Sequence, residues 1–261
     1  MSRRRRRRQR RMAFINIGVA VGIVALAAYA IVKVQPPDYD EMTLCIDGDT
    51  PPHTAIILDK TDEYSAEQAE LIAALVRRES DRLDVGERFT LFELDARGEI
   101  DPRGRFSLCN PGRGSQVNPL FRNPEKIEER YNELFEGPLE AVVSDLVEPK
   151  EAPASPILEA IARLALTENF GRDVEERHLI VVSDMLQNST VFSAYSSAPL
   201  PAPEEIAEAV EDRFGTDLRG VELEVRLIPR EGRMDQQRGP LRELWEDVLD
   251  ELGVDTRWRD L

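Results

Sequence analysis

The stretch TAIILDKTDEYS, residues 54–65, joins a continuous apolar run to a cluster of oxygen-bearing side chains. The run TAIILD is typical of a strand that is covered on both faces of a sheet. The sequence allows three interpretations of the oxygens that follow: they cap the next helix, they are solvated, or they hold a hard divalent cation. The residues concerned are Asp59, Thr61, Asp62, Glu63 and Ser65.

Strand and helix patterns alternate through the rest of the chain. Further strand patterns occur in RFTLFELD, HLIVVSD and VELEVRLIP, with helical patterns between them. The alternation predicts an α/β fold with a doubly wound, mostly parallel central sheet and helices on both faces, of Rossmann-like type. In such sheets ligands bind beyond the carboxyl ends of the strands, where the winding reverses. We therefore expect residues 59–65 at a binding edge.

The N-terminal region joins a basic segment to an apolar one. Residues 1–11 contain eight arginines, and residues 12–34 are mainly apolar. At about 1.5 Å per residue the apolar segment is long enough for a bilayer core of roughly 30 Å. We predict a basic cytoplasmic tail at 1–11 and one transmembrane helix at 12–34, which precedes the sheet domain. A cleavable signal peptide ending near Ala28-Tyr29-Ala30 is the alternative.

This topology predicts a single-pass protein of the cell (inner) membrane with its main domain periplasmic or otherwise extracytoplasmic. Charge divides at the same boundary, because all 50 Asp and Glu lie beyond residue 35. Nine of the 34 Lys and Arg precede it, so 25 basic residues face 50 acids in the remainder, a net charge of about −25. Such a body excludes nucleic-acid binding through a general phosphate-neutralising patch. We expect no nucleic-acid partner.

The two cysteines, Cys45 and Cys109, both fall in the predicted extracytoplasmic part. In an oxidising compartment they would form a disulfide across a loop of about 65 residues, worth on the order of 4 kcal/mol in the chain-entropy model. Two buried free thiols are the alternative. The predicted arrangement of the body is a linker or exit segment at 35–52 followed by one domain at 53–261.

Three groups of oxygen donors are predicted to meet at the carboxyl edge of the sheet. They are Asp59 with Thr61 after the first strand, Ser155 at a helix start, and Ser183-Asp184 at the end of HLIVVSD. Hard cations prefer oxygen ligands of this kind. Ordinary roles remain open for the same residues, because Asp and Thr form turns and Ser caps helices.

With these residues the chain resembles the von Willebrand factor type A domain, the fold of integrin inserted domains. The resemblance covers roughly residues 53–253. D-K-T-D-E at 59–63 is similar to the family pattern Asp-x-Ser-x-Ser, Ser155 falls near the family's threonine, and Asp184 matches its final aspartate. Glu63 replaces the second hydroxyl, so the resemblance implies a degenerate metal-ion-dependent adhesion site.

The resemblance implies that this site holds Mg²⁺, with Mn²⁺ or Ca²⁺ as alternatives. Its acids make the site anionic, which favours a cation and disfavours an acidic partner ligand. The implied ligands are Asp59, Thr61, Glu63, Ser155 and Asp184. A separate loop, residues 110–124, is dense in turn formers and is either a plain connection or a partner-facing loop. Its candidate partner residues are Asn110, Asn118 and Asn123.

Together these features predict a membrane-anchored protein-binding or assembly module, not an enzyme, whose partner is another protein in a membrane-associated complex. One alternative is a structural domain of the same type without metal. Another is a magnesium-dependent phosphatase-like hydrolase, because CIDGDTPP, residues 45–52, is similar to the Asp-x-Asp motif of haloacid-dehalogenase-like phosphatases. Serine hydrolase chemistry lacks its Gly-x-Ser-x-Gly motif, and His53 and His178 each precede a strand, at the opposite edge.

Overall fold

The computed structural model divides the chain into two units, Met1–Asp38 and Tyr39–Leu261. Asp62 and residues 35–37, the first residues of the predicted linker, lie outside the part of the chain that the structure describes. The described residues are 3–34, 38–61, 63–94, 97, 99–119, 122–146, 152–215 and 218–261.

The first unit contains helix α1 (Arg3–Val34). The arginine run and the apolar run therefore lie in one continuous helix. Among the described residues, no helix has both the length and the apolar character that crossing a membrane requires. The predicted transmembrane helix at 12–34 is therefore wrong, and so are the inner-membrane location and the membrane contact that were derived from it.

The second unit is built on a six-stranded sheet with the order β3-β2-β1-β4-β5-β6. All neighbouring strands are parallel except β2 and β3. The observed sheet is thus mostly parallel, as the alternating pattern predicts. The strands are β1 (His53–Asp59), β2 (Arg88–Leu94), β3 (Phe106–Cys109), β4 (Arg177–Ser183), β5 (Val221–Leu227) and β6 (Asp255–Asp260).

Apolar clusters cover both faces of the sheet. Alternate residues of β1 enter different clusters, with Ala55 and Ile57 in one and Ile56 and Leu58 in the other. Burial on both faces explains why β1 has a continuous apolar sequence instead of an alternating one. A π-helical segment, Asn132–Glu136, joins α3 to α4. The helices of this unit are α2 (Ala66–Arg82), α3 (Pro124–Tyr131), α4 (Gly137–Leu146), α5 (Ile157–Leu164), α6 (Pro203–Phe214), α7 (Met234–Arg238) and α8 (Pro240–Glu251).

The predicted disulfide between Cys45 and Cys109 is confirmed. It ties the segment before β1 to the edge strand β3, where the backbone N–H of Cys109 also donates to the carbonyl oxygen of Thr43 at 2.8 Å. CIDGDTPP contributes no strand to the sheet, and Ile46 forms only an isolated bridge with Tyr39. The Asp-x-Asp motif of a phosphatase follows a buried strand, so this segment does not provide that arrangement.

His53, at the start of β1, is buried in its neutral form, with 2% of its surface exposed. Its Nδ1 lies 2.6 Å from the carbonyl oxygen of Asn169 and its Nε2 lies 2.8 Å from Oγ1 of Thr90. A carbonyl only accepts, so Nδ1 carries the proton and Thr90 donates to Nε2. Burial lowers the pKa of His53 to about 4, against the raising effect of the Asn169 hydrogen bond and together with repulsion by Arg88.

We expect His53 to reduce stability as the pH falls. In the unfolded chain His53 takes up a proton near its ordinary pKa of 6.5, whereas in the folded chain it does so only near pH 4. The contribution of neutral His53 to folding stability is therefore fully present above pH 6.5 and is lost as the pH falls from 6.5 to 4. Urea unfolding across this range should show a smaller pH dependence for His53→Gln than for the unaltered protein. An NMR titration midpoint of the His53 ring near 6.5 would contradict the expectation.

Candidate functional site

Asp59, the last residue of β1, is the centre of a buried hydrogen-bond network. Its Oδ1 accepts from the backbone N–H and the hydroxyl of Thr61, at 3.1 and 2.6 Å. Its Oδ2 accepts from the hydroxyls of Ser155 and Ser183, at 3.0 and 2.6 Å. All four residues are buried. The structure therefore brings Asp59, Thr61 and Ser155 together at the carboxyl edge of the sheet.

Ser155 does not cap helix α5. The helix begins at Ile157, and Pro156 occupies the cap position without a side-chain hydrogen bond. The backbone of Ser155 instead pairs in both directions with Asn188, and its hydroxyl is directed to Asp59. The N-cap interpretation of Ser155 is therefore wrong. Ser65, in contrast, does cap α2.

Asp184 follows β4 and is bound by an arginine that the sequence analysis did not identify. Nε of Arg230 donates to Oδ2 of Asp184 at 2.8 Å, and Nη1 of Arg230 donates to the carbonyl oxygen of Glu63 at 2.5 Å. Arg230 follows β5, so it connects the segments that leave three strands. Its position after a parallel strand was the available signal, because those strand ends share one edge.

Burial makes the Asp184 carboxylate costly. Burial, followed by repulsion from Asp59, raises the pKa of Asp184 to about 7, although the N–H of Leu186 and the guanidinium of Arg230 act in the opposite direction. Gln237 fixes this pair: its Nε2 donates to the carbonyl oxygen of Asp184 at 2.8 Å, and its Oε1 accepts from the backbone N–H of Arg230 at 2.9 Å. Arg230 is thus a fixed internal countercharge.

This geometry corrects the predicted cation site. Within the described residues there is no group of three or more His, Cys, Asp or Glu side chains that could hold a metal ion. Protein donors occupy both oxygens of Asp59, Arg230 supplies the positive charge at Asp184, and the Glu63 side chain is exposed. The predicted Mg²⁺, with its alternatives Mn²⁺ and Ca²⁺, is therefore wrong. Asp62, also expected near the site, lies outside the described residues.

An open cleft of about 670 Å³ lies at this network. Tyr195 stands in its wall with 46% of its surface exposed. The guanidinium of Arg233 lies 4.9 Å from the centre of the Tyr195 ring, and its Nη1 donates to Oε1 of Gln236 at 2.9 Å. The cleft is lined by Thr61, Glu63, Ala152, Pro153, Asp184, Leu186, Tyr195, Arg230 and Arg233.

The asparagines of the candidate partner loop have internal contacts. Asn110 is buried and its Nδ2 donates to the carbonyl oxygen of Leu83 at 2.9 Å. Asn123 caps α3, and the carbonyl of Asn118 accepts from the N–H of Arg122 at 3.1 Å. Two of these side chains therefore stabilise their own segment, and a partner contact by Asn110, Asn118 or Asn123 stays a prediction.

No protein-family model matches the chain, and no curated protein matches it. Among solved structures, it is similar to a mutant of the PilB minor pilin from Streptococcus sanguinis, with a TM-score of 0.45 and 8% identity over 83% of this chain and 58% of that chain. The open conformation of the pilus adhesin SpaC from Lactobacillus rhamnosus GG has a TM-score of 0.41 and 10% identity, over 87% of this chain and 29% of that chain. This chain spans less than two thirds of either.

The comparisons correct the family assignment. No model of the von Willebrand factor type A family matches, and the similar structures are named as a minor pilin and a pilus adhesin. The predicted membership of that family is therefore wrong. Identities of 8% and 10%, at TM-scores of 0.45 and 0.41, carry no information on function.

Substitution of Asp59 should destabilise the domain strongly. Asp59→Ala leaves three buried hydroxyls and one N–H without their acceptor, so we expect the free energy of unfolding in urea to fall by roughly 2–5 kcal/mol. Asp59→Asn keeps one acceptor oxygen and should lower the free energy of unfolding by a smaller amount. Asp250→Ala, at an exposed position of α8, is the matched control and should change stability by less than about 0.5 kcal/mol. Equal effects of Asp59→Ala and Asp250→Ala would contradict the network.

Proposed function

We propose that this chain is a protein-binding module that contacts its partner through the cleft at Asp59. The observation that carries the proposal is the exposed ring of Tyr195, which is supported on one face by Arg233. Tyrosine and arginine are enriched among the residues that dominate interface energies. An exposed aromatic ring that is already held in place offers contact area at a small cost in conformational entropy.

The position of the cleft supports the same function. In the strand order, the chain moves from β1 to β2 and β3 and then returns to β4 on the other side of β1. The cleft lies at the carboxyl ends of β1 and β4, which is the usual binding position in such sheets. Its open form suits a protein segment better than a small molecule, which is normally enclosed.

The loop that carries Tyr195 is held by its neighbours. Nε2 of Gln236 donates to the carbonyl oxygen of Ala194 at 2.7 Å, and the N–H of Ala194 donates to the carbonyl oxygen of Gln187 at 2.8 Å. The hydroxyl of Ser193 donates to Oδ1 of Asn188 at 2.9 Å. These bonds preorganise the wall of the cleft before a partner arrives.

We propose binding without catalysis. The hydroxyls of Thr61, Ser155 and Ser183 all donate to Asp59, which uses them as structural donors. The two histidines lie at the starts of β1 and β4, the opposite edge of the sheet. We propose that these hydroxyls serve the fold and not catalysis, because Asp59 and the three residues that donate to it are all buried.

Site-specific photo-crosslinking tests this function. A photoreactive phenylalanine derivative at position 195 of the full chain, in the cells that produce it, should give a discrete adduct with a partner protein. The same group at Leu166 is the matched control, because Leu166 is 55% exposed and follows α5, away from the cleft. Tyr195→Ala should weaken capture of that partner about 10-fold or more. Equal amounts of adduct at positions 195 and 166, or no adduct at either, would contradict partner binding through the cleft. The structural role of the domain would then be the remaining interpretation.

A further inference from the structure

We infer that the partner presents an acidic side chain to the cleft and that Arg233 binds its carboxylate. This inference rests on the proposed function and specifies the chemistry of the partner. It begins from the different environments of the two arginines in the cleft. Arg230 is ion-paired with Asp184 at 2.8 Å, whereas the described residues give Arg233 no carboxylate within ion-pair distance.

Arg233 is oriented before it binds. The guanidinium lies over the Tyr195 ring, 4.9 Å from its centre, and the hydrogen bond to Gln236 uses only Nη1. A guanidinium has five N–H donors in a planar fork that matches the two oxygens of a carboxylate. A carboxylate therefore fits the remaining donors in geometry and in charge.

The acidic residues at the floor of the cleft are already paired within the protein, which reduces their repulsion of an acidic partner side chain. Arg230 offsets the charge of Asp184, and four donors bind Asp59, so the floor of the cleft is less anionic than its sequence suggests. Glu63 lines the cleft with an exposed side chain and opposes an acidic ligand. Removal of Arg233 and removal of Glu63 should consequently have opposite effects on the same ligand.

The apolar surroundings add a second requirement on the partner. Ala152 and Pro153 line the cleft together with Tyr195, and Pro153 is exposed. A partner segment that pairs with Arg233 and covers Tyr195 would remove this surface from water. The acidic residue should therefore stand next to an apolar one in an extended segment.

Selection from a random peptide library on the full chain provides the test. Peptides that bind the unaltered protein and fail on Tyr195→Ala define ligands of the cleft, and we expect them to share an Asp or Glu at one position beside an apolar residue. Arg233→Gln should weaken these peptides at least about 10-fold, and Arg233→Lys, which keeps the charge without the fork, should weaken them less. Glu63→Gln should strengthen them about 2- to 5-fold.

A double-mutant cycle separates recognition from stability. Exchange of the peptide's Asp or Glu for Asn or Gln should cost affinity on the unaltered protein and little on Arg233→Gln. Arg238→Gln, in the same short helix region but outside the cleft lining, is the charge-matched control and should leave affinity unchanged.

The possible outcomes distinguish the two proposals. Tyr195-dependent peptides without an acidic preference, or without sensitivity to Arg233→Gln, would overturn the inference and leave the proposed function standing. Absence of any Tyr195-dependent peptide, together with absence of a crosslinked partner, would overturn both.

Discussion

The carboxylate of Asp59 is the constraint on which the binding edge of this protein depends. It stands at the end of a buried strand and is bound by donors from three separate segments, contributed by Thr61, Ser155 and Ser183. A buried carboxylate is tolerated only where its hydrogen bonds are made, so the three segments are fixed relative to β1. Because these segments also form the floor of the cleft, the shape of the cleft follows from the hydrogen bonds of one residue.

Much of the sheet could be predicted because burial leaves a direct mark on the sequence. Strands β1 and β4 are covered on both faces and have continuous apolar runs, which identify central parallel strands. Strand β6 (Asp255–Asp260) was missed, because Asp-Thr-Arg-Trp-Arg-Asp is polar and largely exposed at the edge of the sheet. The N-terminal segment was misjudged for another reason: composition shows an apolar run, but not that the run continues an arginine-rich helix.

The candidate site was predictable in its members and not in its chemistry. Parallel strands bring their carboxyl ends to one edge, so the convergence of Asp59, Ser155 and Asp184 follows from topology. Topology does not indicate that an arginine, Arg230, supplies the positive charge at Asp184. Arg230 reaches Glu63 across 167 positions of sequence, and no local spacing indicates that contact. A motif of oxygen atoms suggests a cation as ligand, whereas the structure supplies hydroxyl donors and a guanidinium to the same oxygens.

Two arginines in one cleft divide the electrostatic roles between them. The backbone of Arg230 is held by Gln237, and its guanidinium forms an ion pair with Asp184. This ion pair stabilises the floor of the cleft. Arg233 forms no ion pair with a carboxylate of the described residues and instead lies against the exposed ring of Tyr195. In a body with 25 basic residues against 50 acids, long-range attraction does not draw an acidic partner toward this cleft. Recognition of such a partner must therefore come from short-range geometry, so selectivity is expected in the dissociation rate more than in the association rate.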